Sequence, residues 1–101
     1  ALTSRLTCQT AGKYLITGHV EFAANATGVR MLIIRLVGAT DIARVEVASA
    51  GAGDATVLSI ATVYDMSATN YVELFAYQSS GGALNVVAQS NWSPEFSMCK
   101  V

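Results

Sequence analysis

Apolar and polar residues alternate with a period of two along most of the chain, and short clusters of Gly, Asn, Asp and Ser interrupt the alternation. Successive side chains of an extended strand point to opposite faces, so the pattern predicts β-strands. Tyr14, Ile16, Val20 and Phe22 share one parity ahead of "AANATG", where Asn25 and Gly28 supply turn chemistry. In the next segment Leu32, Ile34 and Leu36 alternate with Met31, Ile33 and Arg35 before Gly38. Val45 and Val47 then alternate with Arg44 and Glu46; the alanines of that stretch also suit a short helix, but the strand reading fits better. After "AGAG", Leu58, Ile60, Tyr64 and Met66 share a parity, and "SATN" leads into "YVELFAYQ". "SSGG" turns that segment into "ALNVVAQS", and Pro94 stands where it would begin a terminal strand over "EFSMCKV". About eight short strands, no helix and turn signals roughly every 10 residues predict an all-β sandwich or barrel in one domain, residues 1–101.

"YVELFAYQ" is unusual in being apolar on both faces. Val72, Leu74 and Ala76 share one parity, and Tyr71, Glu73, Phe75 and Tyr77 share the other. Three aromatic rings represent roughly 450 to 750 Å² of surface when buried, against about 300 to 600 Å² for the largest apolar patch of a typical monomer. A face of that kind predicts burial against other chains.

Composition points the same way. The chain is 52% hydrophobic and only 13% charged, where an ordinary domain carries about 25% charged residues. Its surface is therefore neutral and hydroxyl-rich, partly covered by other chains, or both. The net charge of −1 and six scattered Lys and Arg offer no basic stripe for phosphates, so nucleic-acid binding is not expected. Apolar runs such as Met31–Ile34 are far shorter than the roughly 18 residues that cross a bilayer, and no membrane insertion is expected. The chain opens at Ala1 without Met, which reads as a processed or excised domain.

Candidate chemistry is sparse. His19, flanked in alternation by Thr17 and Glu21, lacks a motif that would supply a nucleophile and an orienting carboxylate, so no catalytic residue and no enzyme activity are expected. Asp41, Asp54 and Asp65 are single acids near strand ends, suited to turn solvation more than to calcium, and neither a metal nor a cofactor is expected. The glycines of "GAG" and "SSGG" precede no phosphate-binding helix. Asn25-Ala26-Thr27 and Asn91-Trp92-Ser93 match the glycosylation sequon, the second disfavoured by Pro94. Trp92 is the sole tryptophan and the residue singled out for a partner or ligand contact, against packing over the end of a sandwich. Cys8 and Cys99, near opposite ends of the chain, read either as a disulfide closing a long loop or as two free thiols in strands.

"AGKYLIT" (11–17), "FAANATGVR" (22–30), "YVEL" with "YQSSGGALNV" (71–86) and the terminal "FSM" (96–98) occur in an order that resembles the globular-head domain of complement C1q and tumour necrosis factor. The likeness runs from about Leu6 to Val101 and is greatest to the compact versions in bacteriophage structural proteins and bacterial collagen-like surface proteins. Thr69 and Asn70 stand where members often have Gly-Asp, and no collagen-like stalk lies in these residues. The resemblance implies a two-sheet antiparallel jelly roll forming a compact homotrimer, with one sheet facing the threefold axis. It also implies that the Met31–Leu36 strand lies beside the Tyr71–Tyr77 strand in that sheet. Trimer contacts would then be Met31, Ile33, Arg35, Tyr71, Glu73, Phe75 and Tyr77, with Arg35 and Glu73 placed to pair.

The function expected on these grounds is a non-enzymatic recognition or decoration head on a virion surface: a phage head fibre, capsid decoration or tail-fibre tip. Its partners would be further copies of itself, other virion proteins and a host-surface protein or glycan. Two alternatives stay open, the trimerising head of an extracellular bacterial surface or spore-coat filament and a sugar-binding lectin-like module.

Overall fold

The computed structural model describes residues 5–82, 84, 86 and 95–101. Every regular element in them is a strand: β1 (Arg5–Thr7), β2 (Gly12–Phe22), β3 (Val29–Leu36), β4 (Thr40–Ala48), β5 (Thr56–Met66), β6 (Tyr71–Gln78) and β7 (Glu95–Lys100). They form two antiparallel sheets, one in the order β1-β6-β3-β4 and the other β5-β2-β7. The expected strand over residues 83–90 falls mostly outside the described residues, although Val86 makes an isolated bridge to Phe22. Residues 42–48 are strand throughout, so the helical alternative for that stretch is not taken.

The two sheets close on each other through the parity that the sequence pattern assigns to the core. Ile16, Val20, Phe22, Leu58 and Ile60 from one sheet meet Leu32, Ile34 and Val72 from the other, all buried. Removing such side chains from water at about 25 cal/mol per Å² drives the assembly of the sandwich. Leu74 packs against this cluster. A Cβ at Gly18 would lie 3.0 Å from Leu74 Cδ2, so the glycine in β2 leaves the room that a leucine from the opposite sheet occupies.

One core position holds a cation. Arg30 shares the inward parity of Leu32 and Ile34 and is fully buried. Its guanidinium donates to the carbonyls of Thr27 at 2.9 Å, Val29 at 3.0 Å and Asn25 at 3.0 Å. Ser49 donates its hydroxyl to the same Asn25 carbonyl. Asn25 and Thr27 lie in the turn ahead of β3 and Val29 begins that strand, its carbonyl also accepting from Ser79 N–H at 3.1 Å, so a planar fork of donors ties the turn to the strand. Gly28 in that turn has φ of 81°, and a Cβ there would collide with the Ser79 carbonyl.

The turn joining β3 to β4 places Val37 at φ 52° and Gly38 at φ 70°, with Ala39 N–H donating to the Leu36 carbonyl at 3.1 Å. Two successive left-handed residues suit the twist of a tight hairpin, yet a β-branched side chain is strained there. Thr69 also takes a left-handed conformation, φ 74°. Its N–H donates to the Cys8 carbonyl, and Cys8 N–H to that of Asn70. Tyr14 and Cys8 both donate to the Thr10 carbonyl, at 2.6 and 3.1 Å. The hydrogen bond with Cys8, followed by burial, pushes the Tyr14 hydroxyl above its ordinary 10.0.

Three consequences are measurable by urea unfolding. Arg30→Ala removes three hydrogen bonds and is expected to cost about 3 kcal/mol, while Gly28→Ala costs at least about 2 kcal/mol through the backbone collision. Val37→Asn relieves the left-handed strain and is expected to stabilise by about 1 kcal/mol; a loss of stability in that variant would show that the valine side chain holds the turn.

Candidate interaction faces

The closed core leaves two outward sheet faces, and strand register sets the side chains on each into rows. On the four-stranded sheet, Tyr77, Met31 and Glu46 form one row, and Phe75, Ile33 and Arg44 the next. The third runs Arg5, Glu73, Arg35, Asp41, alternating in charge across all four strands. Tyr71 lies beyond it, opposite Thr7. The structure thus brings Met31, Ile33, Arg35, Tyr71, Glu73, Phe75 and Tyr77 onto one surface, and β3 does lie beside β6.

The partners within that surface differ from those expected. Arg35 donates from Nε to Asp41 Oδ1 at 2.8 Å, and its pairing is with this residue, not Glu73. A bulge at Ile34/Arg35 is the cause: Ile34 registers with Ala43 and Arg35 with Asp41, so Ile42 is skipped and the aspartate rises opposite the arginine. The Arg35 guanidinium carbon also lies 4.4 Å from the centroid of Phe75, and that of Arg5 lies 3.7 Å from the centroid of Tyr71. Both are cation–π contacts, which cover a ring while keeping the charge near water. Arg44 and Glu46 pair at 2.8 Å. Tyr77, at 51% exposure, is the most open of the face's aromatic rings.

The three-stranded sheet presents a different surface. From one end to the other its rows are Asp65, Lys13; Val63, Leu15, Cys99; Ala61, Thr17, Ser97; Ser59, His19, Glu95; and Val57, Glu21. Val57, Val63 and Leu15 are exposed at 62%, 56% and 39%. The Thr17 and Ser97 hydroxyls share a hydrogen bond of 2.6 Å. A shallow depression of about 350 Å³ lies over the small side chains between His19 and Ser97.

Register therefore flanks His19 with a hydroxyl and a carboxylate, an arrangement that no local motif announces because both neighbours lie far along the chain. Nδ1 stands 3.8 Å from Glu95 Oε1, beyond hydrogen-bonding distance. No cluster of three or more His, Cys, Asp or Glu suited to a metal occurs among the described residues, and no helix among them is long and apolar enough to cross a membrane. Asn25 of the first sequon accepts the Thr27 N–H through its side chain at 2.9 Å. Trp92 and the second sequon lie outside the described residues.

Of the two readings of Cys8 and Cys99, a disulfide or free thiols, the structure takes the second. Cys8 is buried in the core, whereas Cys99 pairs with outward-facing Leu15 and is exposed. Their side chains lie on opposite sides of the small sheet, and a bridge would have to pass through it.

Comparison with protein-family models yields no match, and no curated protein matches the chain. Thiol titration checks the cysteine assignment: chain unfolded without reductant is expected to expose two reactive thiols, and Cys8 to stay unreactive while folded. Unfolded chain with no titratable thiol would restore the bridge.

Proposed function

We propose that this chain is a non-enzymatic structural and recognition head, a C1q- and tumour-necrosis-factor-like jelly roll that works as a compact homotrimer on a virion surface. The two antiparallel sheets support the sandwich part of this reading, and the ordered sequence resemblance supports the rest. Low charge is consistent with a surface that other chains partly cover.

The observation that carries self-association is the outer face of the three-stranded sheet. Leu15, Val57 and Val63 stand open on it with no guanidinium over them, and the row of Ala61, Thr17 and Ser97 carries no charge. Burying the Leu15–Val63 and Ala61–Thr17–Ser97 rows against another copy removes aliphatic area from water, with Lys13, Asp65, Glu21, His19 and Glu95 at their margins. The Met31–Tyr77 face is a poorer contact. Arg5, Glu73, Arg35, Asp41, Arg44 and Glu46 would all have to leave water with it, and Tyr71 and Phe75 already have arginine cover. We therefore assign the threefold contact to Leu15, Val57, Val63 and their neighbours, in place of the seven residues that the sequence resemblance implies.

Light scattering on paired variants tests both parts. Wild-type chain is expected at three times the chain mass, Leu15→Asp and Val63→Asp at the mass of one chain, and Phe75→Asp and Tyr77→Asp still as trimers. Cys99, in the row of Leu15 and Val63, is expected to alkylate faster in Val63→Asp than in the assembled protein. A monomeric wild type would overturn the assembly; trimers lost only with Phe75→Asp or Tyr77→Asp would return the axis to the four-stranded sheet.

A further inference from the structure

The aliphatic side chains assigned to the self-contact are not contiguous. Val63 and Leu15 stand toward one end of the three-stranded sheet and Val57 at the other, with the row of Ser59, His19 and Glu95 between them. A copy that covers both ends therefore covers this row. The His19 side chain is 34% exposed in the single chain and that of Glu95 66%, and Nδ1 stands 3.8 Å from Oε1. Both line the depression of about 350 Å³, together with Thr17, Ser59 and Ser97. Seating a second copy there takes an imidazole and a carboxylate out of water together.

What that costs depends on one proton. Imidazole ordinarily gains or loses it near pH ~6.5, while a carboxylate stays ionised down to about pH 4.3. In the open chain the two groups are solvated and their attraction is weak. Under a covering copy, an ionised Glu95 beside a neutral imidazole is a buried charge without a counter-ion, whereas beside an imidazolium it belongs to a closed pair.

The surroundings of the ring leave that proton as the compensating charge. β5 presents Val57, Ser59 and Ala61 to it, β7 presents Glu95 and Ser97, and β2 itself presents Thr17 and Glu21. Both charged neighbours are acids. Lys13, the outward cation of β2, lies six residues away, about 20 Å along the strand. Residues 83–94, which lead into β7, contain no charged side chain. The covered state therefore holds the proton more tightly than the open one, so that assembly strengthens as pH falls through the imidazole range and weakens as it rises. Below about pH 4.3 the carboxylate is itself protonated and the gain is lost.

We propose that His19 and Glu95 make the self-contact pH-dependent, the trimer taking up a proton on each His19 as it forms. The inference rests on the assignment of the contact to this sheet. An opposite charge at such a range tightens proton binding by about tenfold or more. One proton per chain makes that about a thousandfold in the association constant of three chains.

Sedimentation equilibrium over a range of chain concentrations tests this at about pH 5.5 and about pH 8. Wild-type chain is expected to assemble up to about a thousandfold more tightly at the lower pH, and His19→Gln and Glu95→Gln each to assemble alike at both. Glu95 is exposed, so its variant keeps the fold if His19→Gln does not. Wild-type trimers of equal strength at the two pH values, or stronger ones at the higher, overturn the proposal, as does a pH dependence that survives in either variant. Wild-type chain that stays monomeric at both overturns the contact itself, a separate failure that takes the proposal with it.

Discussion

Packing of the two sheets against each other decides everything that the molecule shows to the outside. Once Ile16, Phe22, Leu32, Ile34 and Val72 lie inward, the period of two leaves no freedom in what their neighbours do. A slip of one residue in β6 would bury Glu73 and expose Val72. The same constraint explains Gly18, whose missing side chain makes room for Leu74 of the other sheet. Both outer faces are thus by-products of core register, and they differ because the strands spend their outward positions differently: rings and ion pairs on one sheet, and on the other a middle of small and aliphatic residues between charged rows.

The dual character of β6 illustrates how an apolar pattern can serve a wet surface. Rings at outward positions look as though they need a covering chain, yet Arg5 and Arg35 provide cover from within the same sheet. A guanidinium stacked flat on a ring shields it while remaining hydrated at its edges. Apolar residue type alone therefore overstates how much of this surface demands a partner. Valine and leucine on β2 and β5 have no such neighbour and stay uncovered, which is why fewer and smaller apolar side chains make the stronger case for association.

Much of the fold was legible because it is written in local alternation: the strand segments, the inward parity of Leu32, Ile34, Val72 and Leu58, and the turns at Gly28, Gly38 and "AGAG". Long-range register was not. β2 pairs with β5 and β7, whose residues follow it by some forty to eighty positions, as His19 with Ser59 and with Glu95 shows. The Arg35–Asp41 pair depends on a single skipped residue, which alternation does not encode. The opposite orientations of Cys8 and Cys99 depend on which sheet face each meets, again a matter of pairing. Arg30 could have been suspected from its parity with Leu32 and Ile34, but a charged residue type suggests the surface until its carbonyl partners are in view.

The way Arg30 is held bears on the conditions the molecule tolerates. A buried arginine is often neutralised by a carboxylate, and such a pair fails when acid protonates the acceptor. Here the acceptors with assigned hydrogen bonds are the peptide carbonyls of Asn25, Thr27 and Val29, which do not titrate. The turn ahead of β3 is consequently fastened by acceptors that acidification leaves intact.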